Sequence, residues 1–251
     1  MDLSIVLPGI RRQNWEALYN SAYEAAPDLD WEMIIVGPGH YPEFMRGKPN
    51  FRFISDWGPP ARCAQIGVLA AEGVYMTWAS DDGVFIPLGL QKAWEVLDNK
   101  AFEDGVIMRY REGGNSQTGE YWNAWTHADL RLPGVKNHYK IAPVAMYETE
   151  FFMCMGGWDC RFEHLNMCCH DLAFRVQNVG GRFYESPIEI LDCTWDVHCE
   201  EYQPVRRAYL ETDLPLWNQM YGEKDPERKE IDYNNWLDCY PVWEKRFGAT
   251  N

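Results

Sequence analysis

With 251 residues, of which 46% are hydrophobic, the chain can bury the core of one large domain or two small ones, which excludes a disordered polymer. A formal net charge of −15 excludes nucleic acid and anionic membrane surfaces as partners held by general electrostatics, yet leaves room for an anionic small ligand brought in by a cation. No apolar run approaches the roughly 20 residues of a membrane span, no signal-peptide pattern opens the sequence, and eight cysteines without a CxxC pair read as reduced thiols of a cytoplasmic protein.

In chain order, Leu3-Ser4-Ile5-Val6-Leu7 reads as a buried strand stopped by Pro8-Gly9. Trp15, Leu18, Tyr19 and Ala22 recur at helical spacing through Ala26. A second strand over 31–36 ends at Gly37-Pro38-Gly39, and a third over 51–54 ends at Asp56-Trp57-Gly58. A helix is expected over 61–72 and a fourth strand over 74–78. This order implies a mostly parallel sheet with helices on its faces, which binds ligands at the carboxyl ends of its strands. Three of those ends carry Pro8-Gly9-Ile10-Arg11, Gly37-Pro38-Gly39 and Ser80-Asp81-Asp82-Gly83.

Downstream, the pattern gives a helix over 88–97, a strand over 105–110, a polar glycine-rich loop over 112–120 and a strand over 141–147. A glycine turn at Gly156-Gly157 precedes a helix over 171–179 and a strand over 188–193. The last fifty residues are acidic and aromatic, with helical segments near 205–221 and 233–246. No internal repeat or linker cuts the chain in two.

The sharpest chemical signal is the strand that runs directly into Asp81-Asp82-Gly83. Adjacent carboxylates at a strand end repel unless a cation or hydrogen-bond donors hold them. Mn²⁺ and Mg²⁺ prefer such oxygen ligands and keep positions open for phosphate. The same residues would equally serve as a polar turn capping the next helix.

At this point the sequence resembles the inverting GT-A glycosyltransferases of family 2. Ser4-Ile5-Val6-Leu7-Pro8 and Glu32-Met33-Ile34-Ile35-Val36 look like that family's first two strands. Gln65-Ile66-Gly67, Ala71-Glu72-Gly73-Val74-Tyr75 and Ser80-Asp81-Asp82 look like its helix and metal-binding turn. Gly156-Gly157-Trp158-Asp159 with Arg161-Phe162, then His170-Asp171 with Arg175 and Gly180-Gly181, resemble its acceptor-side half. The resemblance covers about residues 3–195. It departs from the family at Ala79, where an acid is common. Gly37-Pro38-Gly39 stands where Asp-Asp-Gly usually ends the second strand, and Ala64-Gln65 where Arg-Asn is usual.

The resemblance implies an α/β GT-A (Rossmann-like) domain over 1–198, its mostly parallel sheet flanked by helices, with a nucleotide-sugar-binding half (1–100) and an acceptor-side half (101–198). Residues 199–251 form a helical C-terminal extension packed on the same domain. The implied reaction moves a sugar from a nucleotide diphosphate sugar to a glycan or other hydroxyl acceptor, with inversion.

Pro8, Ile10, Arg11, Gly37, Arg62 and Asp81 are the candidate donor-binding residues, Arg62 being otherwise a surface helical arginine. Asp81, Asp82 and His198 are the candidate ligands of Mn²⁺ or Mg²⁺, with His198 otherwise an ordinary surface or core histidine; a zinc site of Cys193, His198 and Cys199 is a further alternative. Asp171 is the candidate general base, expected on the opening turn of its helix, with Glu163 as substitute. It could instead cap that helix or pair with Arg175. Trp158 and Asp159 are candidate acceptor contacts, with Trp122 and Trp125 beside them as a platform or as packing; the 112–120 loop could close over the donor. Two other functions fit less of the pattern. A nucleotidyltransferase should carry a glycine-rich basic loop after the first strand, and a non-catalytic sugar-binding descendant would explain the missing acids.

Overall fold

Six consecutive apolar-rich residues make the first strand, β1 (Leu3–Pro8), and Leu3 through Leu7 are all buried. A run buried on both faces belongs in the middle of a sheet covered by helices. In the computed structural model, which describes residues 1–99, 107–109, 129–130, 139–140, 144–185, 190–193 and 203–221, β1 lies between β2 (Trp31–Gly37) and β4 (Tyr75–Trp78), parallel to both. β3 (Phe51–Ser55) extends the sheet beyond β2, again parallel.

Short strands complete the chain: β5 (Gly83–Phe85), β6 (Ile107–Arg109), β7 (Asp129–Leu130), β8 (Tyr139–Lys140), β9 (Ala145–Glu148), β10 (Phe183–Glu185) and β11 (Leu191–Cys193). Among the described residues the main sheet has seven strands in the order β10-β6-β9-β4-β1-β2-β3. β9 runs against both its neighbours, β4 and β6, while the other pairs are parallel. β5 pairs antiparallel with β11, and β7 with β8.

The helices form where apolar residues recur at helical spacing. α1 (Trp15–Ala25) buries Trp15, Leu18, Tyr19, Ala22 and Ala25. Its rings meet the sheet: Trp15 lies 5.8 Å from Phe53, and Tyr19 stands edge-on to Trp31 at 5.6 Å. α2 (Pro60–Leu69) starts with proline, whose missing N–H costs nothing in the first turn. Gly67 lets α2 sit directly on β1, since a Cβ there would come 2.4 Å from a Val6 methyl. At the strand starts, buried Glu32 accepts hydrogen bonds from Ser4 Oγ, the Glu72 N–H and Arg52, each at 2.8 Å, and so fixes the turn into β4. Both oxygens of Glu32 thus accept hydrogen bonds, as a buried carboxylate requires.

The four strands expected in the first ninety residues are present, with α2 ending at Leu69 rather than 72 and α3 (Gly89–Asp98) one residue later than expected. The expected strand over 141–147 is β9, and a short helix, α4 (Thr149–Cys154), follows it without having been anticipated. α5 (Leu165–Asn178) begins six residues before the expected start, capped by the His164 side chain, which accepts from the Asn166 N–H at 3.1 Å. The strands β5, β7, β8 and β10 were also not foreseen. The C-terminal helical segment comprises α6 (Gln203–Ala208), a π-helical turn at Tyr209–Asp213 and α7 (Leu214–Tyr221). The loop over 112–120 and the helix expected over 233–246 lie outside the described residues. No helix among the described residues is long and apolar enough to cross a membrane.

Candidate functional site

Because β1, β2, β3 and β4 run parallel, their carboxyl ends share one edge of the sheet. The chain leaves β1 at Pro8, and the Gly9 N–H still donates to the Val36 carbonyl at 2.9 Å. The next two residues turn across the top of β4. The Ile10 and Arg11 N–H groups both donate to Asp81 Oδ2 at 2.6 Å. The Arg11 guanidinium donates to Asp81 Oδ1 at 2.5 Å and stands 3.8 Å from Asp82 Oδ2. Ser80 Oγ donates to Asp82 Oδ1.

Thus Ile10, Arg11, Asp81 and Asp82, far apart in sequence, form one cluster. Burial pushes the Asp82 carboxyl above the usual carboxylate range, an effect that Arg11 and the Ser80 hydroxyl oppose. One residue past Asp82 the chain enters β5, where Gly83 lies opposite Cys193 of β11.

Gly37 closes the neighbouring strand end, and its place has a packing reason. A Cβ there would fall 2.0 Å from the Gly9 carbonyl oxygen. Its own carbonyl accepts from the Asp56 N–H at 3.0 Å, tying β2 to the turn after β3. Arg12, which sequence reasoning passed over, organises this loop. Its guanidinium lies 5.4 Å from the Trp15 ring and 5.5 Å from Phe53, and it donates to the Pro38 and His40 carbonyls at 3.0 and 2.6 Å. The signal available was the arginine pair directly after a strand-ending Pro-Gly.

Arg62 sits in the first turn of α2 and makes a bidentate pair with Asp56, Nε at 2.8 Å and Nη2 at 2.6 Å. That pairing raises its already high pKa. Its guanidinium thus anchors the turn after β3 and its side chain is only 17% exposed, which corrects its reading as a surface arginine.

The acceptor-side candidates are arranged differently from expectation. Trp158 is fully buried with its ring 4.8 Å from Phe152, so it presents no face to a sugar. Its N–H donates to Gln65 Oε1 at 3.0 Å, joining the Gly156-Gly157 turn to α2. Gly157 has φ +71°, and a Cβ there would strike the Gln65 amide at 2.4 Å. Asp159 is also fully buried, and burial raises its carboxyl pKa against the opposing pull of Arg161, which grips it through Nε and Nη2.

Asp171 stands in the middle of α5, not on its opening turn. Only 1% of it is exposed, Oδ2 accepts from Arg175 Nε at 2.9 Å, and Oδ1 accepts from the Tyr221 hydroxyl. Arg175 in turn donates to the Met155 and Gly157 carbonyls. Of the three roles left open by the sequence, base, cap or ion pair, the structure shows the pair with Arg175, with both carboxylate oxygens accepting hydrogen bonds inside the core. Glu163 supplies backbone contacts here: its carbonyl accepts from Ala61 N–H, and its N–H donates to Asp213.

The described residues do not fit a divalent cation. Both oxygens of Asp81 and one of Asp82 already accept from N–H or O–H donors, and a guanidinium occupies the space between the acids. No group of three His, Cys, Asp or Glu side chains among the described residues could hold a metal ion. His198, Cys199, Trp122 and Trp125 lie outside the described residues.

The architecture is the α/β GT-A fold: a mostly parallel sheet, one reversed strand, helices on the faces and a helical segment after the last strand. No family model and no curated protein matches the sequence. Solved structures do match in fold. Residues 1–349 of Staphylococcus aureus TarS, a glycosyltransferase, superpose with a TM-score of 0.57 at 16% identity over 85% of this chain and 66% of that one. The same protein in complex with UDP-GlcNAc gives 0.57 at 15% identity over 85% and 68%, and in complex with UDP 0.53 at 16% over 85% and 67%. The chain thus spans about two thirds of that TarS fragment, and 40% of the longer TarS chain.

Proposed function

We propose that this chain binds a nucleoside diphosphate sugar at the carboxyl edge of β1, β2 and β4 and transfers its sugar to an acceptor hydroxyl with inversion. The observation that carries this reading is the Ile10-Arg11-Asp81-Asp82 cluster at that edge. In an α/β sheet this is where a ligand meets the strand ends, and in the same fold TarS was solved with UDP-GlcNAc.

In the reaction the anomeric carbon loses its bond to the diphosphate and gains one to the acceptor oxygen in a single displacement, while the acceptor hydroxyl gives up its proton to solvent or to an oxygen of the departing diphosphate. The diphosphate leaves with the electron pair, and negative charge grows where Arg11 stands. A fixed cation aimed at developing charge lowers the barrier without reorganising during the step. Asp81 has a positioning role in this scheme, since it holds the 10–11 backbone and the guanidinium together.

A thermal-shift screen with UDP-, GDP-, ADP- and dTDP-sugars tests the reading. A specific donor should stabilise the fold by mass action, about 2.7 kcal/mol at a hundredfold excess over Kd. Asp81→Asn should abolish that shift. Silence across all four nucleotide classes would sink the proposal.

The locked state of Asp171 favours a second reading, a sugar-nucleotide-binding protein without turnover. Binding without release of nucleoside diphosphate, in the presence of a broad panel of glycan and other hydroxyl acceptors, would select it.

A further inference from the structure

The metal-binding reading of Asp81 and Asp82 and the geometry of those residues disagree, and the disagreement has chemical content. Asp81 Oδ2 already takes two main-chain N–H groups at 2.6 Å. Its other oxygen takes Arg11 Nη1 at 2.5 Å, and the same nitrogen lies 3.8 Å from Asp82. A Mn²⁺ or Mg²⁺ bound to these oxygens would sit within a few ångströms of a permanently charged guanidinium. At that range two cations repel strongly in a partly buried site.

Arg11 and Asp81 are nearly enclosed, with side-chain exposures of 11% and 4%. Their pairing is therefore a charge-assisted contact sheltered from water, and not a loose surface bridge. It is also reinforced by the backbone of the same arginine, so that moving the guanidinium aside would leave a buried carboxylate short of its countercharge.

From this we infer that Arg11 is the cation of the donor site, so that a nucleoside diphosphate binds here without a divalent metal. The inference rests on the donor-site reading given above. A guanidinium presents five N–H donors in one plane, so it can hold a carboxylate along one edge and meet a phosphate oxygen along another. The acids then serve to aim the arginine. They bind the ligand only through it.

The test is calorimetric titration of UDP, GDP, ADP and dTDP into the full chain, once in excess EDTA and once with Mn²⁺, together with Mn²⁺ alone. The expected result is an affinity for the preferred nucleotide that differs by less than about fivefold between the two buffers, and no heat from Mn²⁺ alone. Arg11→Ala should weaken the nucleotide by about tenfold or more in EDTA, the worth of one lost charge-assisted contact. The same variant should gain Mn²⁺ binding, because two acids have lost their partner. Arg11→Lys keeps the charge and should retain Mn²⁺ exclusion, which guards against misfolding of the alanine variant. An affinity that rises about fivefold or more with Mn²⁺, or Mn²⁺ binding by the wild-type chain, overturns the inference and leaves the donor-site reading standing. Failure of every nucleotide in both buffers overturns the two together.

Discussion

Asp171 illustrates what a single side chain can and cannot say in one dimension. An acid four residues before an arginine on a helix is compatible with a general base, a cap or an ion pair, and only the third dimension chooses. Here the carboxylate is enclosed by Arg175 and the Tyr221 hydroxyl, fifty residues further along the chain. Removing one member of a buried pair leaves the other uncompensated, so Asp171→Asn should lower unfolding stability by about 3–5 kcal/mol in urea titrations. Loss of turnover with unchanged stability would instead return Asp171 to the role of base.

Arg11 and Arg62 make the same point. Both follow strand ends in the sequence, but Arg62 pairs with Asp56 beside β3 while Arg11 joins the acid pair. Trp158, with sugar-stacking chemistry on paper, is core.

At the scale of elements, β1 to β4 and α1 to α3 were legible because each is a clean run or a clean stripe. β1 and β2 are near-continuous apolar strands, and α1 carries its apolar residues at helical spacing. Element boundaries were less legible. The start of α5 is set by His164 acting as its cap, and histidine is a weak sequence signal for that task. β9 was readable as a strand but not as the reversed member of the sheet, since direction depends on which neighbours pair with it.

The strand ends themselves are constrained by backbone proximity. Gly37 lies so close to the Gly9 carbonyl that a methyl group has no room, and the obstacle is main chain, which cannot swing away. Gly37→Ala should therefore cost about 1–3 kcal/mol of stability, measured by thermal or urea unfolding. A variant as stable as the parent would mean the two strand ends are free to part.

Taken whole, the molecule is closed by its C-terminal helical segment. Buried Asp213, in the π-helical turn, accepts from the Glu163 and His164 N–H groups at 2.8 and 2.6 Å. Trp217 packs against Phe162, Phe174 and the His170 ring. Burial lowers the pKa of both His164 and His170 from 6.5 to about 4, and for His170 the charge of neighbouring His164 adds to the effect of burial. The folded chain thus keeps them neutral where the unfolded chain would protonate them.

As the pH falls from 6.5 toward 4, the unfolded state takes up protons that the folded state refuses, and stability drops. For His170 the loss is on the order of 3 kcal/mol by pH 4. His170→Gln should flatten the stability–pH curve over this window in urea titrations. An unchanged slope would show that His170 titrates normally in the folded chain.

The sequence by itself determined the class of fold, the strand ends that form the candidate site and the pairing of Asp81 with Asp82 at one of them. These are local properties: apolar runs, helical stripes and breakers act within a few residues of themselves. Only the tertiary structure decided which cation stands beside those acids, that Asp171 is locked by Arg175 and Tyr221, and that Trp158 is buried. Each depends on residues brought together from distant parts of the chain, whose charges and volumes compete for the same few ångströms of space.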